Sequence, residues 1–143
     1  MSKYDPNHIP IKHYFLLGVK IILTNERGEV LVLKRSDKVS RPHRWDFPGG
    51  GVDSRESPQM AAVRELREET GLTVPEMQLF TAEHIVEKAD EAIILGCHAS
   101  THDANVTLSW EHESYEWMNL GELIKVELPS LHAALLRSYL NKK

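Results

Sequence analysis

Between His13 and Thr24 the chain runs almost unbroken through apolar, often branched residues, stops at Asn25-Glu26-Arg27-Gly28, and resumes with Val30-Leu31-Val32-Leu33. Two β-rich runs around a turn signal predict a β-hairpin entering a core. From Lys34 to Arg44 the pattern becomes polar and reads as a loop. Ser57-Pro58 is an N-cap followed by proline at the first helical position, and Gly71 is a stop, so a helix is predicted at about 58 to 70. After Pro75, the segments Met77 to Val86, Ala92 to Ala99, Val106 to Trp110 and Tyr115 to Met118 carry strand-type residues. Leu131, Leu135, Leu136, Tyr139 and Leu140 recur at helical spacing after Pro129 and Ser130. Strands, a helix, more strands and a last helix predict a mixed α/β sandwich.

A chain of 143 residues is the size of one ordinary domain, with no linker or repeat to divide it, so residues 1–143 read as one domain with one site. The net charge of −4 argues against a general binder of extended nucleic acid, which carries a basic surface to displace counterions. The single cysteine, Cys97, excludes an internal disulfide and a cysteine-based zinc site, and fits a reducing compartment. Met1 to Pro10 lacks a signal-like apolar stretch and no later run is long enough to span a membrane, so a soluble, cytoplasmic protein is expected.

The predicted helix carries the chemistry. With Glu65 at zero on a helical wheel, Glu69 falls at about +40° and Glu68 at about −60°, so three carboxylates share an arc. Ala62, Leu66 and Val63 fall at about +60°, +100° and +160° and form a stripe for the core. Such an arc is a local liability unless a cation offsets it, and hard oxygen donors suit magnesium. Magnesium would stabilise charge as a phosphoanhydride breaks and lower the pKa of an attacking water. The bland alternative is a solvated face tied by an Arg64–Glu68 pair. On the helix alone the two weigh evenly. Just upstream, Pro48-Gly49-Gly50-Gly51 permits backbone approaches that side chains would forbid.

Wider spacing decides between them. Gly50, five residues, Glu56, seven residues, Arg64-Glu65-Leu66, one residue, Glu68-Glu69, one residue, Gly71-Leu72 resembles the Nudix box at every defined position. Chance recurrence in such a chain is on the order of one in ten million. The box spans residues 50–72, and Trp45-Asp46-Phe47-Pro48-Gly49 and Ser109 to Leu120 also look like family sequence. The resemblance implies a Nudix α/β/α sandwich with a mixed sheet. It implies metal-dependent hydrolysis of a phosphoanhydride bond in a nucleoside di- or triphosphate derivative, using Mg2+ with Mn2+ as substitute. In those terms Glu68, Glu69 and the carbonyl of Gly49 hold metal, and Glu65 is a metal ligand or general base. Arg64 positions the carboxylates, Glu56 acts through water or a further metal, and Glu111 supplies one more carboxylate, with Glu113 competing. Arg55 departs from the family, which commonly has glycine there, and leaves the local loop geometry open. Arg35 and Arg44 are candidates for substrate phosphates and Trp45 for stacking on a base, against ordinary loop and packing roles.

The expected partner is a small nucleotide, and a homodimer is compatible with the sequence. The substrates favoured are nucleoside triphosphates or dinucleoside polyphosphates. The markers of the relevant subfamilies conflict. No proline occurs between Pro75 and Pro129, which weakens an ADP-ribose or nucleotide-sugar pyrophosphatase. No tyrosine occurs between Tyr14 and Tyr115, although Leu108 to His112 and Tyr115-Glu116-Trp117 look like the dinucleoside-polyphosphate group. Ser130-Leu131-His132 stands where sanitisers of oxidised guanine nucleotides often carry asparagine. A non-catalytic nucleotide sensor is the alternative from another class, and a Nudix-fold isomerase would have only Cys97 to use. His13, His43, His84 and His98 lack metal-ligand spacing and read as structural.

Overall fold

The computed structural model describes residues 5–9 and 14–142; His13, the first residue of the apolar run, lies outside them. The two apolar runs become β1 (Leu16–Thr24) and β2 (Val30–Arg35), paired antiparallel across the Asn25–Gly28 turn with Thr24 opposite Val30. Asn25 organises that turn. Its side chain accepts from the backbone N–H of Arg27 and Glu29, and Gly28 takes a left-handed φ of 74°.

The strand period of two divides the apolar residues between two cores. Val19, Ile21 and Leu23 of β1 and Leu31 and Leu33 of β2 pack on one face against Ala61, Ala62 and Leu66 of helix α1 (Pro58–Thr70). Ile22, Val30 and Val32 pack on the other face against Leu135, Leu136 and Tyr139 of the last helix, α3 (Ser130–Asn141). Two helices on opposite faces of one sheet make the expected α/β/α sandwich. Full burial of each large aliphatic side chain contributes roughly 1.5–3 kcal/mol.

The sheet is mixed, as expected. Two very short strands, β3 (Trp45–Asp46) and β4 (Gly49–Gly51), precede α1, and β5 (Gln78–Glu87), β6 (Asp90–Ser100) and β7 (His112–Met118) follow it. The order is β3-β2-β1-β6-β5, with β4 also on β1 and β7 also on β2. The β1–β6 pairing is parallel, from Leu16 opposite Ala92 to Thr24 opposite Ser100, and the other pairings are antiparallel.

Helix α1 has the predicted limits. Ser57 Oγ accepts from the N–H of Met60, and Gly71 closes the helix at φ 74° with its N–H on the carbonyl of Arg67. The glycine run forms β4, laid against β1 with Gly49 opposite Lys20. Gly49 has φ 151°, and a Cβ there would stand 2.0 Å from the carbonyl oxygen of Val19. Backbone against backbone is the close approach that the glycines allow.

Two expectations need correction. The segment from Val106 to Trp110 is not a strand. Its backbone turns onto the end of α1 instead, with Thr107 N–H donating to the carbonyl of Thr70 at 2.9 Å and Ser109 N–H to that of Glu69 at 3.4 Å. Val106 and Leu108 still reach the core, so the apolar alternation holds while the hydrogen bonds go to a helix end rather than to a ladder. The second concerns the stretch from Lys34 to Arg44, whose first two residues complete β2. A short helix, α2 (Leu120–Leu123), capped by Asn119, has no counterpart among the predicted elements. Among the described residues no helix is long and apolar enough to cross a membrane.

Candidate functional site

The predicted arc of carboxylates is not uniformly open to ligand. Glu68 is 52% exposed at its side chain, Glu65 14% and Glu69 only 2%. The wheel explains the gradient, because Glu69 lies on the side of Glu65 that adjoins the Ala62 and Leu66 stripe. Glu69 is therefore a carboxylate pressed into the core edge, and among the described residues its Oε2 accepts only from Gly49 N–H, at 3.4 Å. Burial pushes its pKa up to about 9. Lys20 opposes the shift, and the neighbouring charges of Asp46 and Glu65 add to it.

Arg64 gathers the rest. Its Nε and Nη2 donate to Glu56 at 2.8 and 2.9 Å, Nη1 to Glu65 at 2.9 Å and to Glu68 at 3.3 Å, and Nη2 also to the carbonyl of Gly51 at 3.0 Å. The bidentate hold on Glu56, joined by the N–H of Asp53, keeps that carboxyl down at about 2. One guanidinium thus ties the glycine strand, the loop and two helical carboxylates together. Gly50 completes the fit, since a Cβ there would come 2.6 Å from the Glu65 carboxylate.

The loop before α1 carries the unexpected arginine in a left-handed backbone conformation. Arg55 sits at φ 66°, the left-handed region that the family's glycine would adopt freely. Replacing Arg55 by glycine is expected to leave stability unchanged or raise it by up to about 1 kcal/mol, as removed strain is offset by a freer unfolded chain. Urea denaturation checks this, and a loss above about 1 kcal/mol would show that the arginine side chain itself holds the loop.

Beyond the box the assignments separate. Glu111 lies just before β7, half-buried, and its carbonyl accepts from Ser36 N–H at 2.9 Å. Its competitor Glu113 is engaged by His43 at 2.9 Å. Trp45 on β3 is half-buried, with Lys34 Nζ 5.5 Å from the centre of its ring. Arg35 is committed internally, donating to Asp46 at 3.0 Å and to the carbonyl of Ser40 at 2.7 Å. Arg44 is exposed and has no side-chain partner among the described residues, so its charge is the one of the two available to a phosphate.

Lys20, Arg35, Arg44, Trp45, Asp46 and His132 line an open cleft of about 1730 Å³ on the α3 face of the sheet. At its floor is a cluster that sequence reasoning missed. Asp46 is buried, accepts from Lys20 Nζ at 2.8 Å and from Arg35, and lies in hydrogen-bond contact with His132 Nε2. Burial acts to raise its pKa, but the charge of Lys20 and the contact with His132 act against it, and Asp46 is held well below the usual carboxylate range. A signal for it existed, because Lys20 is the one charged residue between Tyr14 and Thr24 and Asp46 the one within Trp45-Asp46-Phe47. Two lone opposite charges in buried strands are expected to be partners.

The donor set around α1 consists of carboxylate and carbonyl oxygens, which fits a hard divalent cation and not a soft one. Among the described residues no three His, Cys, Asp or Glu side chains are drawn around a single cation position. Glu69 is pushed toward its neutral form by burial and by Asp46 and Glu65 despite Lys20, so a further positive charge beside it would favour its ionised form.

Known proteins extend the likeness past the box. RNA pyrophosphohydrolase of Vibrio cholerae serotype O1 is 41% identical over 71 residues, 49% of this chain and 39% of that protein. The chain thus matches about two fifths of the length of that curated relative. The crystal structure of MutT protein from Methanosarcina mazei Go1 superposes with a TM-score of 0.81 at 28% identity, covering 94% of this chain and 99% of that one. A C. elegans Ap4A hydrolase binary complex superposes with a TM-score of 0.73 at 25% identity, covering 88% and 96%. A family model described as NUDIX domain matches residues 15–139, and the chain therefore belongs to the NUDIX domain family.

Proposed function

We propose that the protein is a divalent-cation-dependent pyrophosphohydrolase that cuts a phosphoanhydride bond in a nucleoside triphosphate or a dinucleoside polyphosphate. The observation that carries this is that Lys20 and Asp46, the charge neighbours of Glu69 on α1, also line the large cleft whose wall presents Arg44 and Trp45, although no residue of α1 itself lines it. Membership of the family and the printed activities of the relatives support the same chemistry. A non-catalytic sensor would not need the intact set of Glu65, Glu68 and Glu69.

In this reading Glu68, Glu69 and the Gly49 carbonyl hold Mg2+, which Mn2+ could replace, and Glu111 is the additional carboxylate. When bound, the cation supplies charge neutralisation for the polyphosphate and a lowered pKa for the attacking water. The chain's own residues do the rest. Arg64 keeps Glu56 and Glu65 fixed, so that Glu65 can bind the cation or accept the proton of the attacking water. Arg44 draws the phosphate chain, and Trp45 offers an apolar face to a base.

A triphosphorylated 5′ end of RNA is the second reading, favoured by the RNA pyrophosphohydrolase relatives and by the exposed basic stretch around Arg41 and Arg44. Incubation with Mg2+ and a panel of nucleoside triphosphates, dinucleoside polyphosphates, nucleotide sugars and 5′-triphosphorylated RNA, with product analysis, tests both. Magnesium-dependent release of phosphate or pyrophosphate from one of the first two classes is expected. Binding without turnover across the panel would leave the sensor alternative in its place.

A further inference from the structure

His112 opens β7 and is buried, its side chain 3% exposed, between the two carboxylates that join the cleft to the helix. Its Nε2 stands 3.8 Å from Asp46 Oδ2 and its Nδ1 4.0 Å from Glu69 Oε2. Both separations are too long for hydrogen bonds, and neither nitrogen has a hydrogen-bond partner among the described residues. A buried imidazole with both nitrogens unsatisfied is rarely left so in a folded protein. Its demand can be met on one side more readily than on the other. Asp46 already takes Lys20, Arg35 and His132, whereas among the described residues Glu69 has only the long contact from Gly49 N–H.

We propose that His112 is a positioning residue for Glu69: its Nδ1–H closes onto Glu69 Oε2 and fixes which oxygen of that carboxylate faces the cation. The assignment rests on the proposed metal site. Its anchorage suits the role, because His112 pairs with Arg35 in the sheet and its N–H points at the carbonyl of Ser109, whose own N–H reaches the carbonyl of Glu69. The backbone thereby holds imidazole and carboxylate in a fixed relation. Carboxylates that ligate metals are themselves hydrogen-bonded, and loss of such partners typically costs about 10–100-fold in metal affinity or activity.

The test uses three variants of the full chain. His112→Leu fills the site without a donor. His112→Asn places an amide N–H near the reach of Nδ1, and His112→Gln near the reach of Nε2. Mn2+ binding is measured by the loss of the free-ion electron paramagnetic resonance signal, beside kcat, KM and urea unfolding in EDTA.

The expected result is a loss of Mn2+ affinity of about 10–100-fold in the leucine and glutamine variants. Their kcat falls while KM for nucleotide stays within about twofold, and the asparagine variant recovers most of both losses. Stability in EDTA is not expected to follow that order, since a merely structural role would not distinguish Asn from Gln by metal affinity. Wild-type affinity in His112→Leu, or rescue by Gln equal to that by Asn, would overturn the assignment while leaving the metal reading intact. A wild-type protein that took up no Mn2+, even with nucleotide present, would sink both.

Discussion

Replacing Glu68 by glutamine is expected to lower kcat by about three orders of magnitude while leaving the unfolding free energy within about 0.5 kcal/mol of wild type. The two halves of that expectation come from the same geometry. Glu68 is the most exposed of the three helical carboxylates, and its only ion pair among the described residues is with Arg64 at 3.3 Å. Exposed pairs of this kind contribute little to stability, and glutamine keeps the shape and the helical preference of glutamate. In the proposed metal site, by contrast, the substitution removes charge at the point where negative charge on the phosphates would have to be offset. A thousandfold loss corresponds to about 4 kcal/mol of transition-state stabilisation, within what a bound cation supplies. Steady-state kinetics at saturating Mg2+ and urea denaturation check the two halves separately. Turnover within about tenfold of wild type would remove Glu68 from the metal site.

How much of this is readable beforehand depends on whether a residue answers to local or to distant chemistry. Helix α1 is legible to the residue because Ser57, Pro58 and Gly71 are local caps whose geometry needs nothing from the rest of the chain. The two faces of the sheet follow from alternation in β1 and β2. The strand expected over Val106 to Trp110 fails because apolar spacing says which side chains turn inward, not which backbone groups they will meet. Its partners, the carbonyls of Glu69 and Thr70, lie far back along the chain at the end of α1. Glu65, Glu68 and Glu69 do stand together on α1, but the wheel treats Glu69 as part of an open surface when its angle puts it beside Leu66. Asp46, His112 and His132 come from β3, β7 and α3, so no spacing rule could have assembled them.

The same buried carboxylates predict opposite responses to pH. Asp46 is held well below the ordinary range, so its contribution to stability is present above that range and is lost only as pH falls through its low folded pKa. Glu69 behaves in the opposite sense. Its folded pKa is raised from 4.5 to about 9, so its contribution is fully present below the unfolded value and is lost as pH rises toward 9. In EDTA, the unfolding free energy should therefore fall between about pH 5 and pH 9 by an amount on the order of a few kcal/mol, because each tenfold change in proton affinity between the folded and unfolded chain is worth about 1.4 kcal/mol. Magnesium should reverse the slope, because its uptake displaces the Glu69 proton and stabilises only the folded chain. The stabilisation by Mg2+ is then expected to be small near pH 5 and largest near about pH 9. Glu69→Gln, which keeps the volume and cannot ionise, should flatten the pH dependence in EDTA and abolish the magnesium effect together. If the wild-type protein in EDTA were equally stable at about pH 6 and about pH 9, Glu69 would not be held neutral by its burial. The carboxylate would then already be ionised against Lys20, and the case for a cation drawn in to balance it would lose its physical basis.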